Sequence, residues 1–367
     1  MTEMNETTVM NQNLTEATRR IRQSLGDWPA NSTPWRICVK PPEEPNGNDL
    51  IVVTDGAPQG AQLARWAACG AAVAVVETKT AGSLVTLHWG GQRYALEGEL
   101  AHDWLAALAA FLDCGFAPHD ALALAFAWRD GDERQAHDAW PVSLARFPHV
   151  PHIAGWPHAP AQPFAPCPAR LGLYPVLPNA DWVERVLDCG VKTVQLRSKQ
   201  PASDALQREI ERCVEAGRRH DARVFINDHW REALAAGAYG VHLGQEDVRE
   251  ADLAAIAAAG MRLGLSTHGY YEMLTVLPLR PSYVALGAVF ATTTKVMPTA
   301  PQGLARLARY VKLLDGVAPL VAIGGIDAAV LPAVLATGVG SAAVVRAVTQ
   351  APDPAQAIAA LQREFAL

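Results

Sequence analysis

Residues 223–244 read RVFINDHWREALAAGAYGVHLG. Two short apolar runs, RVFIND ending at Asp228 and YGVHLG ending at Gly244, flank a stretch rich in alanine that is long enough for a helix. Runs this apolar are typical of strands that are buried on both faces, and a strand–helix–strand order makes the two strands parallel neighbours. The stretch therefore predicts one β/α unit of a parallel sheet.

The same alternation fills the whole C-terminal half of the chain. The remaining strand-like runs are LGLYPVL at 171–177, VKTVQLR ending at Arg197, RLGLST ending at Thr267, YVALGAVF ending at Phe290, PLVAIGGI ending at Ile326 and GSAAVVRAV ending near Val348. Together with the first two runs they make a full set of eight strands, each followed by a helical stretch. Residues 171–367 are therefore predicted to form a compact (β/α)8, or TIM, barrel.

A proline-rich stretch precedes the barrel. Prolines recur throughout residues 140–170, and each of them fixes φ and removes a hydrogen-bond donor. We therefore expect residues 140–170 to form an extended linker between a barrel at 171–367 and a separate unit at 1–139.

The N-terminal unit has a weaker but recognisable pattern. Its strand-like runs are DLIVVTDGA at 49–57, AAVAVVE at 71–77, VTLHW at 85–89 and RYALEGE at 93–99, with helical stretches at 59–68, 102–115 and 118–130. The first forty residues carry little pattern. The predicted fold class is thus α/β, with a C-terminal TIM barrel preceded by a smaller α/β domain.

Composition excludes several classes of protein. The chain has 367 residues, of which 50% are hydrophobic and 19% charged, with a formal net charge of −6, as in a mildly acidic globular protein and not in a nucleic-acid binder. Its six cysteines form no C-x-x-C pair, which favours reduced structural thiols. No apolar run is long enough for a membrane span, so we expect no membrane partner and a cytoplasmic location. Homo-oligomerisation is compatible with these features.

Polar residues follow the predicted barrel strands at the ends where barrel enzymes place their active sites. Gln195, Arg197 and Lys199 alternate at one strand end and could together hold a polyphosphate. Asp228 and Asp247 offer the carboxylate oxygens that Mg²⁺ prefers. The backbone N–H groups of the Gly324-Gly325 turn suit a phosphate. Two phosphate sites with a metal beside one of them predict the condensation of a pyrophosphate with a monophosphate.

The residues of the barrel resemble the thiamine-phosphate synthases over essentially all of 171–367. The matching strings, in order, are VQLRSK, FIND, GVHLGQED, GLSTH, GAVFATTTKVMPTAPQGL and VAIGGI. The resemblance implies a transferase that joins 4-amino-5-hydroxymethyl-2-methylpyrimidine pyrophosphate to hydroxyethylthiazole phosphate, with Mg²⁺ as cofactor. In that family pyrophosphate leaves first, and the thiazole nitrogen then captures a pyrimidine carbocation.

The resemblance also implies roles for individual residues. Contacts to the pyrimidine pyrophosphate fall on Gln195, Arg197, Lys199, Asn227, Ser266 and Lys295, of which Lys199, Ser266 and Lys295 are the expected catalytic residues. Asp228 and Asp247 become the Mg²⁺ ligands. The expected contacts to the thiazole phosphate are Thr292, Thr294, Gly325, Val345 and Arg346. His268 and His242 are expected to be structural, the second as a core residue.

Two positions depart from the family pattern. Ser198 stands where an acidic residue is common, and Val345-Arg346 stands where Ile-Ser is usual. Two alternative functions stay open at this point: a thiazole tautomerase-like paralogue and a non-catalytic sensor of thiamine precursors. A tautomerase has no need for a metal-pyrophosphate clamp, so the predicted acid pair argues against it.

Part of the N-terminal unit, from about Gly90 to Trp128, resembles a fragment of the hydroxymethylpyrimidine phosphate kinases, which are ribokinase-like. Where those kinases have a glycine-rich turn, this chain reads EGELAHD at 97–103. Without the glycines the backbone cannot direct its N–H groups onto a transferring phosphoryl group. We therefore expect a degenerate remnant without kinase activity that serves for interaction or stability, or else an unrelated binding domain.

Overall fold

The computed structural model describes residues 2–29, 31–54, 56, 58–129, 138–151, 153–293 and 299–366, and their side chains from residue 13 onward. The chain divides into two compact units, Met1–Ile153 and Ala154–Leu367. The boundary falls inside the predicted linker. Among the described helices, none combines the length and the apolar character that crossing a membrane requires.

The N-terminal unit contains, in the residues described, one five-stranded sheet in the order β1-β2-β3-β4-β5. Strands β1, β2 and β3 pair in parallel, whereas β4 pairs in antiparallel fashion with both β3 and β5. The strands are β1 (Arg36–Cys38), β2 (Asp49–Val53), β3 (Ala72–Lys79), β4 (Gly82–Trp89) and β5 (Gln92–Gly98). The helices are α1 (Thr2–Ser24), α2 (Gly60–Ala68), α3 (Trp104–Asp113) and α4 (Pro118–Ala127). A smaller α/β unit ahead of the barrel is therefore confirmed.

Helix α1 and strand β1 were not expected from the sequence. The helix is mostly polar, but Ile21 and the following Leu25 are fully buried, and Arg22 Nε lies 2.9 Å from a carboxylate oxygen of Asp113 at the end of α3. Tertiary packing of a few residues therefore stabilises a helix that has a weak periodic signal.

The Pro-rich segment contains a short 3-10 helix at Leu144–Arg146, and hydrogen bonds attach it to the rest of each unit. In the first unit, His149 exchanges two backbone hydrogen bonds with Glu97. In the second, the backbone N–H of Ala165 donates to Met261 at 3.2 Å, and the Ser282 hydroxyl donates to the Ala165 carbonyl at 2.8 Å. Proline segments retain their carbonyl acceptors, and the side chains beneath the barrel use them.

The second unit contains, within the part of the chain that the structure describes, a closed barrel of eight parallel strands, which confirms the predicted fold class. Its strands are β6 (Gly172–Leu177), β7 (Thr193–Leu196), β8 (Arg223–Asn227), β9 (Gly240–Leu243), β10 (Arg262–Thr267), β11 (Tyr283–Leu286), β12 (Leu320–Ile323) and β13 (Ser341–Val344). The helices are α5 (Ala180–Asp188), α6 (Asp204–Arg219), α7 (Trp230–Ala236), α8 (Asp247–Glu250), α9 (Leu253–Ala258), α10 (Tyr270–Val276), α11 (Gly303–Leu314), α12 (Leu331–Leu335), α13 (Arg346–Thr349) and α14 (Pro354–Glu364).

Strand β11 is shorter than the run YVALGAVF predicted, because it ends at Leu286 and not at Phe290. The chain nevertheless continues beside the next strand, since Val289 N–H donates to Ile323 O and Phe290 N–H to Gly324 O, both at 2.9 Å. This extension carries residues after β11 toward the mouth of the barrel.

Large aromatic side chains fill the barrel interior. Tyr174, Phe225 and Tyr283 are fully or almost fully buried and contact one another. They fit because neighbouring strands offer glycines: a Cβ at Gly264 would lie 2.1 Å from Cζ of Tyr283, and one at Gly240 would lie 2.6 Å from Cε1 of Phe225. The interior is thus a packed core below an open mouth.

Candidate active site

A cavity of about 750 Å³ opens at the carboxyl ends of the barrel strands. Ten of the predicted site residues line it: Gln195, Arg197, Asn227, Asp228, Asp247, Ser266, Thr292, Gly325, Val345 and Arg346. Predicted residues Thr294 and Lys295 lie outside the described residues. Residues from seven strand ends therefore meet in one pocket, as the β/α order led us to expect.

Among the predicted site residues that the structure describes, Lys199 is the one that lies outside the cavity lining. It is exposed. Strand β7 ends at Leu196, so the in-and-out alternation that links Gln195 to Arg197 does not extend to Lys199. Ser198, which stands between Arg197 and Lys199, is buried, and its hydroxyl accepts a hydrogen bond from the Gln200 N–H at 3.3 Å.

Asp228 and Asp247 form an acid pair at the ends of two adjacent strands. Burial, and next the charge of Asp247, raise the pKa of Asp228 to about 6, while the charge of Arg197 lowers it. Asp228 has a left-handed backbone conformation with φ of 63°, and its N–H donates to His242 O at 3.0 Å. An aspartate tolerates this conformation better than most residues, and here it turns a carboxylate into the mouth.

Asn227 stands beside this pair. Its side chain is buried, and its amide Nδ2 donates to a carboxylate oxygen of Asp228. Arg197 is half-buried, and its N–H continues the ladder by donating to Leu177 O at 2.8 Å. An amide donor and a guanidinium thus stand close to two carboxylates, a mixture that can bind a metal–phosphate complex.

Glycines shape the opposite side of the cavity. Gly324 and Gly325 have φ values of 106° and 66°. A Cβ on Gly325 would lie 2.7 Å from both the Ala291 carbonyl oxygen and the Cβ of Phe290, so no larger residue fits without a shift. The loop that carries Thr292 therefore lies directly against this turn.

Arg346 lies at the rim, at the start of α13. Its Nη1 donates to Thr293 Oγ1 at 2.9 Å, while the side chain stays exposed and lines the cavity. The departure from the family pattern at this position thus puts a guanidinium at the glycine side of the cavity.

Two histidines line the cavity as well. His268 is partly buried, and its Nδ1 lies 2.8 Å from a carboxylate oxygen of Glu272; its structural role stays a prediction. His242 is buried, as expected of a core residue, but it also lines the cavity, and its Nε2 lies 2.8 Å from Ser266 Oγ. The sequence held one signal for a role of His242 in the site: this histidine lies on the strand next to the one that carries the predicted site residue Ser266.

Comparison with known proteins agrees with this geometry. The family model described as thiamine monophosphate synthase matches residues 173–348. A thiamine-phosphate synthase of Neisseria meningitidis serogroup A is 59% identical over 199 residues, which cover 54% of this chain and 97% of that protein. A thiamine-phosphate synthase of Escherichia coli O1:K1 is 57% identical over 190 residues, covering 52% of this chain and 90% of that protein.

Among solved structures, a thiamine phosphate pyrophosphorylase from Pyrococcus furiosus is 30% identical, with a TM-score of 0.48, and the match covers 53% of this chain and 96% of that one. The matches to the curated synthases span almost the full length of those proteins at high identity. Through its barrel, the chain belongs to the thiamine-phosphate synthase family of transferases.

Proposed function

We propose that the barrel joins 4-amino-5-hydroxymethyl-2-methylpyrimidine pyrophosphate to hydroxyethylthiazole phosphate, releasing pyrophosphate and forming thiamine phosphate. The observation that carries the proposal is the acid pair of Asp228 and Asp247 beside Arg197, in one cavity with the Gly324-Gly325 turn. The first group suits a pyrophosphate with its metal, and the second suits a monophosphate.

The acid pair fits Mg²⁺. Burial, and next the charge of Asp247, oppose the ionisation of Asp228, and a divalent cation held by these carboxylates would relieve the repulsion between them. Mg²⁺ takes few protein ligands and completes its shell with water and phosphate oxygens. Asp228 and Asp247 would therefore hold it, and when bound it supplies positive charge to the leaving pyrophosphate.

The reaction needs help for the leaving group more than it needs a protein nucleophile. The bond between the pyrimidine methylene carbon and the pyrophosphate oxygen breaks, and its electron pair leaves with pyrophosphate. Arg197, Asn227 and Ser266 offer donors to that developing charge, as Lys295 is predicted to do, whereas Lys199 is exposed and does not line the cavity. The thiazole nitrogen then donates its lone pair to the methylene carbon and forms the new C–N bond.

The thiazole phosphate is assigned to the other side of the cavity. The Gly325 turn, Thr292 and Arg346 line the cavity there, next to Val345, and offer backbone N–H, hydroxyl and guanidinium donors. Thr294 is predicted to join them. This arrangement would hold the thiazole nitrogen toward the pyrimidine, so that binding itself supplies the orientation of the two substrates.

The experiment mixes the purified full chain with both substrates and Mg²⁺ and follows thiamine phosphate and pyrophosphate, with and without EDTA. We expect thiamine phosphate and pyrophosphate to form in equal amounts, and only when Mg²⁺ is present. A folded chain that binds thiazole phosphate but forms neither product would contradict the proposal and favour the tautomerase or the sensor.

For the N-terminal unit we propose an accessory role without kinase activity. The segment EGELAHD runs from the end of β5 into α3, and its Glu97 is occupied in backbone pairing with His149. An ATP-dependent conversion of hydroxymethylpyrimidine phosphate to its pyrophosphate by this chain would contradict that role. Homo-oligomerisation and a cytoplasmic location remain predictions.

A further inference from the structure

Five polar side chains form a continuous hydrogen-bonded chain through the barrel interior. Gln195 Nε2 donates to Tyr174 Oη at 3.2 Å, and Tyr174 Oη lies 2.9 Å from Tyr283 Oη. Tyr283 Oη lies 2.7 Å from His242 Nδ1, whose other ring nitrogen, Nε2, lies 2.8 Å from Ser266 Oγ. The two ends, Gln195 and Ser266, are both cavity residues assigned to the pyrimidine pyrophosphate.

The middle of this chain is shielded from solvent. Tyr174 is 1% exposed and Tyr283 is 0% exposed, and His242 is 7% exposed. Burial raises the pKa of both tyrosines well above the ordinary value, so both hydroxyls keep their protons. Each tyrosine therefore has a single proton to donate, and the direction of one hydrogen bond fixes the direction of the next.

The direction follows from the amide of Gln195. Either hydroxyl of the tyrosine pair can donate, but with Tyr174 accepting from that amide, only donation from Tyr174 to Tyr283 gives both tyrosine protons an acceptor within the series. Tyr283 then donates to Nδ1 of His242, which must be the unprotonated nitrogen. A neutral imidazole carries its one proton on the other nitrogen, so Nε2–H donates to Ser266 Oγ.

Ser266 is the end of the series. Its oxygen accepts from His242, so its hydroxyl proton points away from the imidazole ring. Ser266 also lines the cavity. We propose that Tyr174, Tyr283 and His242 are positioning residues that direct the Ser266 hydroxyl proton at the pyrophosphate of the substrate, an inference that rests on the function proposed above.

Local packing maintains this arrangement. The ring of Tyr283 occupies the space in front of Gly264, where a Cβ would lie 2.5 Å from its hydroxyl oxygen. The Tyr283 and His242 rings are stacked, with centroids 5.6 Å apart and planes inclined by 19°. Gln245 holds the serine from the other side, since its Nε2 donates to Ser266 O at 2.7 Å. The series is thus fixed before a substrate arrives.

The first test reads the tautomer of His242 directly and needs no activity. Full-length protein with ¹⁵N-labelled histidine is studied by long-range ¹H–¹⁵N correlation, and His242 is assigned by its loss in His242→Gln. We expect a protonated Nε2 and an unprotonated Nδ1 in the wild type, and a loss of that preference in Tyr283→Phe. A protonated Nδ1 in the wild type would overturn the proposal, whatever the enzyme assay shows.

The second test measures whether Tyr283 acts through Ser266. Tyr283→Phe keeps the ring and removes the hydroxyl, and we expect kcat to fall about 10- to 100-fold, with little change in KM for the thiazole phosphate. In a Ser266→Ala background, the same change should alter kcat by less than about twofold. Independent, multiplicative losses would overturn the proposal.

A matched control separates this role from simple loss of a buried hydroxyl. Tyr310 is also buried, and its hydroxyl donates to Gln302 Oε1 at 2.8 Å, outside the series. Tyr310→Phe should leave kcat within about twofold and the His242 tautomer unchanged. A fall in kcat as large as that of Tyr283→Phe would show that the loss reflects packing and would overturn the positioning role.

Discussion

The carboxylates of Asp228 and Asp247 lie near each other at the ends of adjacent strands, and burial together with the Asp247 charge raises the pKa of Asp228 to about 6. In the metal-free protein the charges of these two carboxylates therefore repel each other, and the fold does not remove that repulsion. Such an arrangement is typical of a cation site, where functional geometry is kept at a cost in stability.

A first prediction concerns pH and the stability of the metal-free protein. The pKa of Asp228 is raised from its ordinary 3.8 to about 6, so ionisation favours the unfolded chain and stability is lost as pH rises from about 4 to 6. Asn cannot ionise. Asp228→Asn should therefore stabilise the metal-free protein by about 1–2 kcal/mol more at pH 7.5 than at pH 4, allowing for solvent screening.

Urea unfolding with EDTA at the two pH values measures this difference. Asp315→Asn, at an exposed carboxyl of α11's end, is the control for the effect of the substitution itself. Adding Mg²⁺ should stabilise the wild type more than Asp228→Asn. Equal pH profiles for the wild type and the variant would refute the raised pKa of Asp228.

The second prediction concerns turnover. Asp228→Ala should lower Mg²⁺-dependent formation of thiamine phosphate at least about 100-fold, because it removes a proposed metal ligand. Circular dichroism should show an intact fold. Normal turnover in this variant would show that the metal assignment is wrong.

The third prediction tests the glycine side of the cavity. Gly325→Ala should raise KM for the thiazole phosphate about tenfold or more, because the new Cβ meets Ala291 O and Phe290. Gly316→Ala is the matched control, since Gly316 has a similar φ of 69° but no atom within 4 Å of its added Cβ. Equal kinetics in the two variants would refute a phosphate site at Gly325.

The fourth prediction concerns the unusual arginine. Arg346→Ala should raise KM for the thiazole phosphate about 3- to 30-fold, and more at low salt, because a guanidinium is a strong phosphate donor. The exposed Arg363 of α14 offers a control, and Arg363→Ala should leave KM unchanged. An unchanged KM in Arg346→Ala would mean that the guanidinium points away from the substrate.

The fifth prediction concerns where the chain can be cut. Residues 154–367 alone should keep kcat within about threefold, because the segment below the barrel stays attached. A chain starting at Leu171 should unfold at lower temperature, since Ser282 loses the Ala165 carbonyl and Arg280 Nη2 loses the Pro160 carbonyl at 2.6 Å. Thermal unfolding and the synthase assay on both fragments check this, and equal melting temperatures would contradict it.

Much of the fold and of the site was predictable because the information is local. An apolar run followed by a helical stretch forms a β/α unit wherever it occurs, and a residue at a strand end faces the mouth. Asp228 and Asp247 could be placed together for this reason. Lys199 could not be placed, because the point where β7 ends decides how far alternation extends.

The sequence by itself determined the barrel, its parallel strand order and the strand ends that supply the site, since each depends on short periodic patterns. Only the tertiary structure decided that His242 belongs to the site and that Tyr174 meets Tyr283, 109 residues away along the chain. That contact exists because Gly264 leaves room for a tyrosine ring to cross the barrel interior. Packing between distant strands, and not any local pattern, sets such an arrangement.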